Sequence, residues 1–241
     1  MKNNLKTYAR IFFSTLICTT GSALADGNSI DKVYHPYVLP LETEIEYRAI
    51  FQSDEKKSLD DQQVQRLGFG KTFFEKWFTE IYIIGEKTSE NDFNTSSVEI
   101  EAKVQLTEQG EYAADWGLLF ELERNFDRNL VELAVGLLVE KEWGRWVGAL
   151  NAFIEFERRD DELRNEIETI SALQLRYRYS RLFEPTIEFY QNQDTLALGP
   201  TIMGAARLGI AKKIRWELGV IFGLDNETPD QTIRALLEYE F

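Results

Sequence analysis

Ile233-Arg234-Ala235-Leu236-Leu237-Glu238-Tyr239-Glu240-Phe241 is the stretch that decides the fold. Successive side chains of a β-strand point to opposite faces. Read with that period, Ile233, Ala235, Leu237, Tyr239 and Phe241 share one apolar face, and Arg234, Glu238 and Glu240 lie on the other. The same alternation runs backwards through the chain. It recurs in Trp216, Leu218, Val220, Phe222 and Leu224, in Trp146 to Phe156, in Val131 to Val139, and in Trp116, Leu118, Phe120 and Leu122. It recurs again in Val98 to Leu106 and in Leu41, Thr43, Ile45, Tyr47, Ala49 and Phe51, where Glu42, Glu44, Glu46 and Arg48 fill the alternate positions. No long helical pattern competes. Together these runs predict twelve strands, at 41–51, 63–74, 77–87, 96–107, 113–125, 129–142, 146–158, 166–179, 184–191, 195–206, 213–225 and 231–241. Strands nine and ten carry Pro185 and Pro200, with Gly199 and Gly204 suggesting a bulge or kink.

The chain has 241 residues, 27 Lys and Arg against 41 Asp and Glu, and a net charge of −14. That balance opposes nucleic-acid binding, which needs clustered cations. One Cys and one His exclude a disulfide framework and a Cys-rich zinc site. Residues 1–25 read as a secretory signal: Lys2, Lys6 and Arg10 lead, a short apolar run from Ile11 to Cys18 follows, and Ala23-Leu24-Ala25 forms the cleavage signal. Cleavage after Ala25 removes the three cations and takes the charge from −14 to −17. A lipoprotein reading would acylate Cys18, but bulky Ile17 stands where such sites want a small residue. Residues 26–40, with His35-Pro36-Tyr37 and Pro40, read as an irregular periplasmic segment whose Tyr34 and Tyr37 dock on the barrel rim. His35 there is expected to have no chemical role.

Strands of about ten residues with apolar-out, polar-in alternation suit a tilted membrane strand. The expected fold is therefore all-β: a transmembrane antiparallel up-and-down β-barrel over residues 41–241, in the outer membrane. Short turns such as Glu75-Lys76, Gln109-Gly110-Glu111, Trp143-Gly144-Arg145, Arg181-Leu182-Phe183 and Ala211-Lys212 are expected on the periplasmic side. Longer polar loops at 52–62, 87–95, 158–165 and 225–230 are expected outside. Trp77, Trp116, Trp143, Trp146 and Trp216 fall at the periplasmic strand ends on the apolar parity, as a membrane girdle requires, and Phe51, Phe126, Phe156 and Phe222 suit the opposite girdle. A lipocalin-like soluble barrel or a β-sandwich predicts the same alternation, but neither explains the Trp placement.

The inward parity is charged. Glu44, Glu46, Glu80, Glu99, Glu101, Glu121 and Glu217 stand with Arg48, Arg66, Arg176, Arg178, Arg215 and Arg234 as lumen-lining residues. Interlocking of these charges fills a narrow interior; an acidic surplus along an open path would favour cations, and Arg176, Arg178 and Arg215 would suit an anionic or aromatic solute. Twelve strands imply a small or plugged pore. With no His in the strands or outer loops, Ser–His and His–acid hydrolysis is nearly ruled out, an all-carboxylate mechanism stays open as a weakly supported alternative, and neither a phosphate loop nor a calcium loop is present. No enzyme, cofactor or metal site is expected. The loop acids Asp54, Glu55, Asp60, Asp61, Asp160 and Asp161 read as solvated, with divalent bridging to lipopolysaccharide the alternative.

The ending Leu237-Glu238-Tyr239-Glu240-Phe241 resembles the terminal-strand signature of bacterial outer-membrane barrels. With Trp216 through Gly223-Leu224 and the Thr228-Pro229-Asp230 turn, it is similar to barrels grouped as phenol-degradation-pathway outer-membrane proteins. The resemblance implies that the insertion machinery reads Leu237, Tyr239 and Phe241, that lipid and lipopolysaccharide surround the barrel, and that a small hydrophobic or aromatic solute passes through it. It carries over no functional residue. The expected function is a narrow channel or facilitator for a small solute, with a sealed structural barrel or a soluble periplasmic binding barrel as alternatives.

Overall fold

The computed structural model describes residues 30–89, 91–159, 166–209 and 212–241. The signal segment 1–25, loop acids Asp160 and Asp161, and Ala211 of the expected turn lie outside the described residues. Twelve strands form one closed antiparallel barrel in sequence order: β1 (Thr43–Ser53), β2 (Gln62–Phe74), β3 (Trp77–Lys87), β4 (Asn94–Gln105), β5 (Asp115–Asn125), β6 (Leu130–Trp143), β7 (Trp146–Arg159), β8 (Glu166–Tyr177), β9 (Glu184–Gln191), β10 (Leu196–Arg207), β11 (Lys213–Gly223) and β12 (Gln231–Glu240). Every strand boundary lies within two residues of its sequence expectation. Closure joins the first strand to the last, from Glu44 opposite Glu240 to Ser53 opposite Gln231, so no edge is left unpaired.

The period-two pattern fixes which side is which. In β12, Ile233 and Leu237 are exposed outside, while Thr232, Arg234, Leu236, Glu238 and Glu240 are buried inside. In β1, Ile45, Tyr47 and Phe51 face out, and Glu44, Glu46, Arg48 and Ile50 face in. The greasy face is therefore the outer one, opposite to a lipocalin. A one-residue slip in any strand would put a guanidinium or carboxylate on the apolar wall, so the register is strongly specified.

Where large inward rings crowd together, glycine makes the room. A Cβ on Gly68 would lie 2.5 Å from the Tyr82 ring and 2.6 Å from Glu80 Oε1. The hairpin between β6 and β7 turns on Gly144, whose φ of 66° is ordinary for glycine and unfavourable for most residues.

The connections divide less sharply than expected. Two-residue turns join β2 to β3 and β6 to β7, but β4 and β5 end early and leave a nine-residue connection, 106–114, on the short-turn end. There the ladder frays: Leu106 N and Thr107 N both reach Trp116 O, and Trp116 N donates to Thr107 Oγ1. β9 and β10 are both present. β9 is the shortest strand, and Pro185 opposite Ile202 and Pro200 opposite Ile187 each remove a ladder donor.

Leu41 departs from its expected place in the first strand. It sits in a reversal with Pro40 at φ 64°, and β1 begins at Thr43. The reversal is held by Glu42 N donating to Leu39 O at 3.3 Å and by Thr72 Oγ1 donating to the same carbonyl at 2.8 Å. Upstream of it, residues 37–39 meet the short-turn rim, and the segment beyond them is not confined to it. Residues 30–36 run inside the barrel as an extended strap, with Ile30, Val33, Tyr34 and Pro36 buried, and Val38 is buried at its rim end.

Candidate functional site

The candidate site is the lumen, and the strap organises it. Seen from the short-turn end, Val38 N donates to Gln105 Oε1 at 2.8 Å and Tyr37 Oη donates to Asp115 Oδ2 at 2.7 Å. His35 Nδ1 lies 2.5 Å from Glu140 Oε2. Tyr34 and Asn151 exchange two hydrogen bonds, Tyr34 N to Asn151 Oδ1 at 2.7 Å and Asn151 Nδ2 to Tyr34 O at 2.9 Å, in the manner of a ladder pair. Tyr34 Oη donates to Glu101 Oε1 at 2.6 Å. Such bonds satisfy strap backbone groups that no strand reaches. The rim expectation is corrected for Tyr34 and His35, which reach the barrel wall from inside through Asn151, Glu101 and Glu140, whereas Tyr37 meets the short-turn rim at Asp115, the first residue of β5.

Deeper in, two charged strap residues meet the charged wall. Asp31 pairs with Arg48 and lies 3.7 Å from Arg66 Nε, and its carbonyl accepts from Tyr190 Oη at 2.6 Å and from Arg234. Lys32 Nζ donates to Glu46 Oε2 at 2.7 Å and to Tyr82 Oη at 2.9 Å, and lies 3.9 Å from Glu80 Oε2. Burial alone would push the Asp31 carboxyl up; Arg48 and Arg66 outweigh it and hold it well below the ordinary carboxylate range. Burial would likewise lower the Lys32 ammonium, and Glu46 outweighs it, so Lys32 stays charged. Ile30 and Val33 pack against Ala149, Ala172, Tyr190, Ala197 and Ile221, where full burial of each aliphatic side chain contributes about 1.5–3 kcal/mol.

The lumen-lining residues expected from sequence gather into separate groups. Arg48 and Arg234 are both 0 % exposed. Arg48 Nη2 bonds Glu46 Oε1 at 2.7 Å, and Arg234 Nη2 reaches Glu188 at 2.9 Å and Glu217 at 3.0 Å. Arg66 Nη1 binds both oxygens of Glu99, at 3.0 and 2.9 Å. Arg176, Arg178 and Arg215 do not form a free anion-binding cluster. Arg176 is paired with Glu184 at 3.3 Å, Arg178 with Glu142 at 2.5 Å and Arg215 with Glu238 at 3.3 Å. Glu188 and Glu140, central to these networks, belong to the inward parity as well. Their pairing was not legible because it joins strands far apart in sequence.

Towards the loop end, the strap and the wall of β2–β9 enclose a cavity of about 100 Å³. Strap residues Asp31, Lys32 and Tyr34 border it, and Arg128 and Asn192 from loop-end connections line its upper part. Nine acidic residues line it against three basic ones. The sheet register sets carboxylates opposite one another: Glu99 and Glu123, Glu101 and Glu121, Glu123 and Glu132, Glu132 and Glu157, Glu155 and Glu168. Like charges directly opposite destabilise a sheet, so this wall was not arranged for sheet stability. Phe153, Ala134, Ile170 and Ala172 give the cavity an apolar side.

Outside, Trp77, Trp116, Trp143 and Trp146 are exposed near the short-turn end, and Trp216 is half-buried with its ring over Gly204. Phe51, Phe126, Phe156 and Phe222 are exposed near the opposite end. Leu237 and Phe241 are exposed on the outer face, and the Tyr239 and Phe241 rings stack at 5.5 Å.

No family model matches the chain, and no curated protein matches it. Solved structures do. An outer-membrane channel from Pseudomonas putida F1 superposes with a TM-score of 0.57 at 13% identity, covering 89% of this chain and 98% of that one. The KdgM porin, in a structure described as a complex with disordered oligogalacturonate, gives 0.53 at 12% identity over 82% and 98%. The NanC porin gives 0.52 at 10% over 82% and 98%. The chain therefore has the fold of bacterial outer-membrane barrels.

Proposed function

We propose that the chain is an outer-membrane channel for a small solute, narrowed by its own N-terminal strap and favouring cations over anions. The observation that carries the reading is a lumen that is polar and charged inside an apolar outer wall, with a strap crossing it below an acid-lined cavity. On this reading the short-turn end faces the periplasm, the cavity faces outward, and the tryptophan ring sits at the inner lipid interface. The acidic wall repels an anion such as oligogalacturonate. Leu237, Tyr239 and Phe241 serve as the assembly signal, with the insertion machinery as partner, and lipid and lipopolysaccharide surround the wall. No catalytic step is assigned.

Planar-bilayer recording tests the reading. The expected result is small, cation-selective conductance that rises at least severalfold when residues 30–38 are deleted. Absence of conductance from both proteins overturns it and favours a second reading, a sealed surface barrel, for which the strap's close fit speaks. Removal of Phe241 is expected to reduce the folded, membrane-inserted fraction far more than His35→Ala; equal levels of the two would remove the assembly role.

A further inference from the structure

The strap's Lys32 sits in a cage that reads as a binding site for an alkylammonium group. Its Nζ touches the carboxylate of Glu46 at 2.7 Å and the Tyr82 hydroxyl at 2.9 Å. It lies 4.7 Å from the centroid of the Tyr34 ring and 5.5 Å from that of Tyr82, within range of cation–π attraction. Three buried carboxylates converge there: one oxygen each of Glu44, Glu46 and Glu80 lie within 4.8 Å of one another. The cage remains under-filled even with Lys32 in place. Glu80 is 2% exposed and its Oε1 has no hydrogen-bond partner. A buried carboxylate oxygen without a donor costs free energy that a further N–H could recover. Lys32 and Tyr34 also line the acid-lined cavity, so the cage adjoins the cavity through these two side chains.

We infer that the lumen binds primary organic ammonium ions, and that Lys32 is a tethered stand-in occupying the site such a solute would take. The acidic cavity draws the cation in, its Phe153 and Ile170 side accepts an alkyl body, and the ammonium exchanges with Lys32 at Glu46, Glu80 and Tyr82. The inference names the solute class of the channel proposed above and rests on that reading for its transport meaning. Ammonium suits the cage better than a bare metal ion because Tyr34 offers it an aromatic face and Tyr82 a hydroxyl.

Chemical rescue tests this with the full chain folded in detergent and n-butylammonium as the probe. Lys32→Ala vacates the cage. At n-butylammonium about tenfold above its dissociation constant, the melting midpoint of Lys32→Ala should rise by about 3–5 °C. The unsubstituted protein should move by less than a third as much, and adding Glu80→Gln to Lys32→Ala should abolish the rise. Sodium, calcium and butyrate at the same concentration should give no such rise. An equal rise with sodium or calcium, or equal rises with and without Lys32, overturns the inference. If Lys32→Ala does not fold, its refolding yield becomes the readout: recovery with n-butylammonium supports the cage, and no recovery overturns it. The conductance experiment is independent. Amine rescue in a barrel that does not conduct keeps the cage and sinks the channel; conduction without amine rescue does the reverse.

Discussion

Two regions of the lumen use the same residue types to opposite ends. Around the strap, charge is matched: Asp31 with Arg48 and Arg66, Lys32 with Glu46, and Arg234 with Glu188 and Glu217. Along β4–β8, carboxylates face carboxylates across neighbouring strands and line an open cavity. The first arrangement locks a segment in place. The second sets acidic side chains against one another, where a proton or a cation would relieve them. Pairing around the strap thus serves to hold it, while the facing carboxyls of β4–β8 do not stabilise the sheet.

Four variants and one titration probe that contrast. Arg48→Ala should have the largest effect, because it leaves Asp31 and Glu46 buried without their guanidinium; loss of one partner of a buried pair costs about 3–5 kcal/mol, readable as a lower unfolding midpoint in denaturant. The Asp31 contribution has a definite pH sign. Its carboxyl is held below the ordinary 3.8, so its stabilisation is complete above that value and is lost as pH falls through the lower folded-state value. Strap release should therefore be absent between pH 7 and 5 and appear only in strong acid; release near pH 6, followed by proteolysis of the strap, would contradict the Asp31 anchor. Tyr34→Phe removes the donor to Glu101 Oε1 and should cost about 1–3 kcal/mol. Glu132→Gln with Glu155→Gln should act in the opposite direction. Relief of the facing carboxylates should stabilise by about 0.2–1 kcal/mol per pair and shift the reversal potential towards zero selectivity. The smallest effect belongs to Arg128→Ala: it contacts Glu86 at 3.0 Å with its own side chain 32% exposed, so it should cost less than about 1 kcal/mol in the same melt.

The barrel was legible because its signal is local. Each strand states its own two faces, as Ile45, Tyr47 and Phe51 do against Glu46 and Arg48, and tight turns such as Trp143-Gly144-Arg145-Trp146 punctuate them. Inward parity put Glu46, Arg48, Arg66, Glu99 and Arg234 in the lumen, but alternation says nothing about partners. Arg234 meets Glu188 and Asp31, 46 and 203 positions away, and only closure brings them together. The strap escaped for the same reason. His35-Pro36-Tyr37 breaks any period, and its hydrogen bonds go to Asn151, Glu101, Gln105 and Asp115 on three different strands. The one local hint was Asp31-Lys32 beside Val33-Tyr34, charge and grease together in a segment with no strand to join.

The reversal at Pro40-Leu41 has a consequence for how the molecule comes together. It ties the cork to a stave: the strap is continuous with β1, and β1 is one of the two strands that meet at the final seam. A cork carried on that stave is delivered to the mouth of the cask as the seam closes, and needs no separate search for its hole. Moving the chain's break to another pair of strands would keep every stave and lose that order of events.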